Sequence, residues 1–278
     1  MRSGATNRTL LGILLAAVGL GVLGVLLAHR LAELPSPAIV PQAEPPNELF
    51  APSLRSRIER LVQEHVRPRP SGPADRLVAL TFDDGPYPVE TPLLLDVLRD
   101  ERVPATFFLI GRDASEFPGL AQAIERDGNE IADHTETHPA DFDRLSVAAS
   151  TREIVEGAAT LGRYVHDPAI RRFMRPPHGR YSESSVIAAQ RAGYAIVLWN
   201  DDPGDWKALP AAALAEHVIA HATAPDIILL HSGKPATIAM LPQIIERFRG
   251  AGFRFVTVGT LVRRLPLVQI DHPAKVAI

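Results

Sequence analysis

Two histidines stand four residues apart in His134-Thr-Glu-Thr-His138, directly before Pro139. On a helical turn that spacing puts both imidazoles on one face, as a two-histidine metal site requires. His217 and His221 repeat the spacing. That second pair lies inside an amphipathic helical pattern with no convergent polar residues nearby, so it is expected to be a packing or solvated pair. Asp83 and Asp84 adjoin in Thr81-Phe82-Asp83-Asp84-Gly85-Pro86. Neighbours on a strand point to opposite sides, and only a turn, which Gly85-Pro86 supplies, lets both serve one site. Arg175 opens Arg175-Pro-Pro-His178-Gly179, and its fork could pin a carboxylate. Asp202-Pro-Gly-Asp205-Trp206 sets two acids and a large ring in one loop, and Leu229-Leu230-His231 ends an apolar run in an imidazole. Singly, each has a bland reading: solvated acids, a surface ion pair, a helix cap with a packed Trp, a structural histidine. Together they supply an Asp and two His for a metal, a spare Asp, a spare His and an Arg. That is an inventory for metal-assisted hydrolysis, with a coordination position left for water.

Groups so far apart in sequence need a scaffold that gathers them. Short apolar runs occur at Leu77–Phe82, Ala105–Ile110, Glu130–Ala132, Arg172–Met174, Ala195–Trp199, Asp226–Leu230 and Arg254–Val258. Between them lie helix-like patterns at Thr91–Asp100, Phe117–Arg126, Val147–Leu161, Glu183–Arg191, Pro210–His221 and Leu241–Arg249. Strands alternating with helices predict an α/β fold with a mostly parallel sheet, either a barrel or a doubly wound sheet. Both architectures bind ligands at the C-terminal ends of their strands. The polar groups follow the runs in that position, so chain order alone sets them around one mouth.

The 278 residues carry a net charge of −3 with 46% apolar and 22% charged residues, the balance of a chain with a sizeable core. No excess of Lys and Arg marks a nucleic-acid binder. With no cysteine, disulfides, iron–sulfur clusters and thiol catalysis are excluded, and His, Asp and Glu remain as strong metal ligands.

Leu10 to Ala28 is 19 residues without a charge, long enough as a helix to cross the hydrocarbon core. Leu26-Leu27-Ala28 is a poor cleavage site, which favours an uncleaved anchor over a signal peptide. The Gly19-Leu-Gly21-Val-Leu-Gly24 spelling inside this span lacks the strand and polar helix start of a dinucleotide site. Six prolines between Pro35 and Pro52 read as a stalk, and Leu54, Ile58, Leu61 and Val62 as a short amphipathic helix. The expected organisation is residues 1–33 as cytoplasmic N-terminus and transmembrane anchor, 34–75 as stalk and short helix, 76–265 as the main domain and 266–278 as a tail. The main domain would then face the periplasm or cell surface from a single-pass membrane protein.

From Leu77 to about Leu265 the chain resembles the NodB-homology polysaccharide deacetylases, carbohydrate esterase family 4. The resemblance rests on TFDDGP, HTETH with Pro139, RPPHG, DPGDW and LLH, in that order and spacing. It implies a distorted (β/α) barrel with about seven strands. It implies Asp83 as general base held by Arg175, and Asp84, His134 and His138 as ligands of a divalent metal, Zn2+ first, then Co2+ or Ni2+. His231 would be the general acid, oriented by Asp202. Trp206 and Leu229 would wall the acetyl pocket, and the backbone N–H near His178 would help hold the oxyanion. His178 stands where the family usually has Tyr. Ser232 stands where Asp is common, which is expected to alter the substrate rim.

The implied function is removal of acetyl groups from an N-acetylated polysaccharide: peptidoglycan, a chitin-like chain or an exported glycan. Amide hydrolysis needs an activated water, a stabilised oxyanion and a protonated leaving amine, and the inventory covers all three. An O-acetyl esterase would use the same groups. A membrane-anchored glycan-binding relic would be expected to have lost a ligand or the base, and a metal-free amidohydrolase would not need the intact HxxxH.

Overall fold

The computed structural model describes residues 76–264; the expected anchor, stalk and amphipathic helix, and the tail, lie outside the described residues. Among the described residues no helix is long and apolar enough to cross a membrane.

Among the described residues seven parallel strands alternate with helices. In chain order they are β1 (Leu77–Asp83), α1 (Glu90–Asp100), β2 (Thr106–Leu109), α2 (Gly111–Glu116), α3 (Pro118–Arg126), β3 (Glu130–Asp133), α4 (Val147–Leu161), β4 (Phe173–Met174), α5 (Glu183–Arg191), β5 (Ala195–Ile196), α6 (Ala211–Ala220), β6 (Asp226–His231), α7 (Pro235–Gly250), β7 (Arg254–Phe255) and α8 (Val258–Arg264). Every strand and helix expected within the described residues is present. Two helices, α2 and α8, were not anticipated; each is seven residues or fewer, too short to show a helical period. Helix α7 starts six residues before the expected Leu241 and runs through Pro242. Buried Thr237, Met240 and Leu241 anchor its first turns on the core, so tertiary packing overrides the proline signal.

The sheet order is β5-β4-β3-β2-β1-β6. One edge of β1 pairs along its length with β6. The other is shared, with β7 at Leu77 and Val78 and β2 from Thr81 to Asp83. The chain after β5 then returns to β6: Asp201 bridges Ile228 in parallel, Asn200 N donates to Ile227 O at 2.9 Å and Leu229 N to Asp201 O at 2.9 Å. That seam closes the sheet into a distorted barrel.

The period of two along each strand sorts its residues between interior and exterior. Val78, Leu80 and Phe82 of β1 join Phe107, Leu109, Ile228 and Leu230 in the cluster packed beneath the helices. Leu77 and Ala79 join Phe108, Ala132, Phe173, Val197 and Ile227 in a second, inner cluster. Continuing the inner parity puts Thr81 and Asp83 on β1, Leu229 and His231 on β6, and Arg175 just past β4 at the mouth of the barrel. The alternation that fills the barrel with apolar side chains therefore also delivers its polar ones.

Candidate active site

Asp83 is the last residue of β1, and its carboxylate is buried against Arg175, whose Nη1 donates to Oδ1 at 2.6 Å. Arg175 is fully buried, a costly position for a guanidinium unless its donors are engaged. They are: Nη1 also donates to Thr81 Oγ1 (2.8 Å), Nε to Val197 O (3.1 Å) and Nη2 to Leu198 O (3.3 Å). The guanidinium lies 4.1 Å from the Phe108 ring centroid and 5.4 Å from that of Trp199. Gly179 lets the Arg175–Gly179 turn rest on Trp199, since a Cβ there would meet the indole at 2.4 Å. Burial pushes the Asp83 carboxyl above the ordinary carboxylate range, and the Arg175 charge opposes this without reversing it. A raised carboxylate that stays paired with a cation is suited to accepting a proton.

The chain turns immediately after Asp83. Asp84 and Gly85 both adopt left-handed backbone, φ 67° and 68°, which swings the second carboxylate out of the strand alternation. Asp84 Oδ1 then lies 3.6 Å from His134 Nε2 and 3.6 Å from His138 Nε2. Ligand atoms of these three residues all lie within 4.8 Å of one another, the single such His/Asp/Glu group among the described residues. Donors about 2.1 Å from one ion at tetrahedral angles stand roughly 3.4 Å apart, so the spacing fits a shared cation better than direct hydrogen bonds. The protonation fits as well. His134 Nδ1 donates to Arg175 O at 2.8 Å, leaving Nε2 with its lone pair toward Asp84. Burial pulls the His134 imidazole down to about 3, against the pull of Asp84, so the ring is neutral and able to ligate.

The two histidines do not share a helical turn, as their spacing suggested. β3 ends at Asp133, and His134 to His138 form a loop with Thr135 (φ 69°) and His138 (φ 53°) in left-handed backbone. Local hydrogen bonds outcompete the helix: Asp133 Oδ1 accepts from Thr135 N, Thr135 Oγ1 from His138 N, and Glu153 on α4 takes both the N–H and the hydroxyl of Thr137. The rings still meet, 4.7 Å apart.

On the far side of the mouth His231 Nδ1 faces Asp205 Oδ1 at 2.7 Å. The other Asp205 oxygen accepts from His231 N (2.8 Å) and Thr237 Oγ1 (2.6 Å). This corrects the expectation for Asp202, which is exposed and instead accepts from Gly204 N at 2.9 Å in a local turn. That turn, with Gly204 at φ 72°, carries the chain back so that the next acid enters the barrel and is 1% exposed. The usable signal was the pairing of Asp205 with Trp206, an acid beside a large ring after a Pro-Gly turn. Burial works against protonation of His231, but the Asp205 hydrogen bond and the charges of Asp83, Asp205 and Asp84 hold its pKa above the ordinary histidine value.

Of the remaining expected residues, Leu229 is buried on β6 and Trp206 is 52% exposed with Lys207 Nζ 4.7 Å from its ring centroid. His178 adopts φ 55° and sets its ring edge-on to His138, 4.7 Å between centroids. Ser232 is not on the rim; it is buried beneath Asp83 and Asp84. His217 and His221 do form a stacked pair on α6 and its end, with centroids 4.2 Å apart. Contrary to expectation they have a polar partner, Asp201 of the seam, whose Oδ1 is 2.9 Å from His217 Nε2.

Residues 71–197 match the family described as polysaccharide deacetylase. A peptidoglycan-N-acetylglucosamine deacetylase of Bacillus cereus is 36% identical over 194 residues, 68% of this chain and 89% of the relative. The chain belongs to the polysaccharide deacetylases of carbohydrate esterase family 4. A chitooligosaccharide deacetylase of Sinorhizobium fredii is 38% identical over 196 residues, 70% of this chain and 87% of the relative. The solved family 4 carbohydrate esterase from Streptomyces lividans in complex with acetate has a TM-score of 0.62 at 28% identity, covering 70% of this chain and 98% of its own. The chain is accordingly a hydrolase that removes acetyl groups from N-acetylated polysaccharide, in a metal-dependent family.

Proposed function

We propose that the chain is a zinc-dependent deacetylase of N-acetylhexosamine glycan, held at the outer face of a membrane by residues 10–28 and working on peptidoglycan or an exported chitin-like chain. The observation that carries the reading is the convergence at one barrel mouth of a carboxylate–guanidinium pair, a His2Asp donor set and a histidine–carboxylate pair. Two imidazoles and one carboxylate form a donor set that suits Zn2+, with Co2+ and Ni2+ as workable substitutes.

Asp84, His134 and His138 would hold a divalent ion, which would supply Lewis acidity toward the acetyl carbonyl and toward water. Asp83 takes the proton of the attacking water, and Arg175 keeps the carboxylate aimed and paired. His231, protonated through Asp205, gives its proton to the leaving sugar nitrogen. The peptide N–H at His178 supports the oxyanion as it forms. Leu229 and Trp206 wall the acetyl methyl, Leu229 from within the barrel and Trp206 from its edge. The relatives' names, for peptidoglycan-N-acetylglucosamine and chitooligosaccharide, support an N-acetyl substrate. The uncharged segment from Leu10 to Ala28 supports the anchor.

The test is acetate release by the full chain, stripped with chelator and reloaded with Zn2+, from peptidoglycan, chitin oligomers and acetylated xylan. Release from peptidoglycan or chitin oligomers that depends on added metal is expected. Release from xylan alone would make the protein an O-acetyl esterase, and release from none would sink the reading.

A further inference from the structure

The Asp83–Asp84 peptide carries the base on one residue and a metal donor on the next, so its orientation decides both functions. Two features leave it in need of outside support. Asp84 sits in left-handed backbone, which a non-glycine residue holds only when its surroundings fix it. Its carbonyl also leaves the strand ladder at that point. The support comes from Ser232, the residue after His231 on β6, which is 1% exposed. Cα registry sets Asp83 opposite His231, and Ser232 N extends the ladder by donating to Asp83 O at 3.1 Å. The Ser232 hydroxyl then donates in a forked bond to Asp83 O at 2.9 Å and Asp84 O at 3.3 Å. The fit is close, because a Cβ on Gly85 would come within 2.8 Å of this oxygen.

We propose that Ser232 is a positioning residue that locks the Asp83–Asp84 peptide, setting the base and the metal donor together in register with His231. Its hydroxyl is engaged by the two carbonyls and is not among the donor atoms of the Asp84, His134 and His138 group. The inference rests on the metal-hydrolase reading and deepens it: β1 and β6 are coupled at the mouth by one hydroxyl. An alanine at this position keeps the backbone bond to Asp83 O but leaves the Asp84 carbonyl without its donor. The turn then relaxes, and Asp84 Oδ1 loses its aim between the two imidazoles.

The test uses the full chain with Ser232→Ala, Ser232→Thr and Ser232→Cys. Zn2+ affinity of each stripped protein is measured by competition with a chromophoric chelator, without substrate, and kcat and KM for acetate release are measured separately. Ser232→Ala is expected to weaken Zn2+ binding and lower kcat by about 10–100-fold, the range for losing an outer support of a metal site, with KM unchanged. Ser232→Thr, which retains the hydroxyl, is expected to restore both. If the alanine chain does not fold, Ser232→Cys, of similar size but a weak donor, is expected to show the same loss. An alanine or cysteine variant with wild-type Zn2+ affinity and kcat overturns the proposal, even if its melting temperature falls. A wild-type chain with neither Zn2+ affinity nor acetate release overturns the hydrolase reading and this proposal with it.

Discussion

The molecule holds two histidine pairs at the same four-residue spacing, each with an aspartate beside it, and they are built for opposite ends. At the mouth, His134 and His138 lie on a loop, and each presents Nε2 to Asp84 Oδ1 from 3.6 Å. At the seam, His217 and His221 lie along α6 with their rings stacked at 4.2 Å. There His217 is already hydrogen-bonded to Asp201 at 2.9 Å, and His221 Nδ1 bonds back to His217 O at 2.8 Å. A ligand set needs donor atoms aimed at a common point and not spent on one another. The mouth pair meets that condition and the seam pair does not. Spacing counts only for how near two side chains come, and the backbone decides where their lone pairs point.

The largest expected effect breaks one pair and spares the other. His134→Ala or His138→Ala removes one of three protein ligands and should leave the purified protein nearly free of Zn2+ and inactive. His217→Ala and His221→Ala should retain metal and acetate release. Metal content of the four variants decides the matter, and loss of metal at His217 would overturn the assignment.

A smaller contrast separates the two acids of the mouth. Asp84→Asn should purify largely without metal. Asp83→Asn should keep its metal but lose about 10²–10⁴ in turnover, the usual range for removing a general base. Bound Zn2+ and acetate release, measured on both under one condition, test the roles; metal lost from Asp83→Asn and kept by Asp84→Asn would reverse them.

The sequence made much of this site legible because strand ends are legible. Asp83, Arg175 and His231 follow apolar runs, and parity along those runs turns each of them inward. What escaped lies in loops whose path depends on backbone that a sequence does not spell. The HTETH segment has helical spacing, yet Glu153 and Asp133 capture its N–H groups and hold it as a loop. The family resemblance implies Asp202 as the partner of His231, but the Pro203-Gly204 turn sends Asp205 inward instead. Asp201 carries no motif signal between Asn200 and Asp202, because its importance comes from closing the barrel on β6, a contact 27 residues distant along the chain. The resemblance implies that Ser232 alters the substrate rim, while the hydrogen bonds it makes cross the sheet to β1 and the turn after it.

The mouth and the seam also share an aspartate–histidine pair, which gives a third contrast. Asp205 raises the pKa of His231, so Asp205→Asn should lower it and move the alkaline limb of kcat to lower pH. Turnover at the optimum should fall by about 10-fold or more as the acid loses its orientation. Asp201→Asn removes the equivalent contact at His217 and should leave the pH profile of kcat where it is. A pH–rate series on both variants checks this; a shift produced by Asp201→Asn and absent from Asp205→Asn would show that the seam, not the mouth, sets the profile.

The smallest effect belongs to the seam alone and concerns stability. Asp226 opens β6 fully buried, and burial, with the nearby charge of Asp201, pushes its pKa up to about 6 from an ordinary 3.8. Oδ1 of Asp226 and Oδ2 of Asp201 are both buried without a hydrogen-bond partner, so the ionised pair is poorly compensated. An acid whose folded pKa is raised binds its proton more tightly when folded. Its stabilising contribution is therefore complete below about pH 4 and is lost as pH rises through about 6. Asp226→Asn keeps an oxygen to accept from Thr223 N, as Asp226 Oδ2 does at 3.2 Å, but carries no charge to bury. It should match the wild type in melting temperature near pH 4 and exceed it by a few degrees near pH 8, with metal binding and acetate release unaltered. Thermal melts of both proteins across that range measure the difference. A gap that widens toward low pH would mean that this carboxylate is satisfied in its charged form, and a loss of metal would mean that the seam and the mouth are not independent.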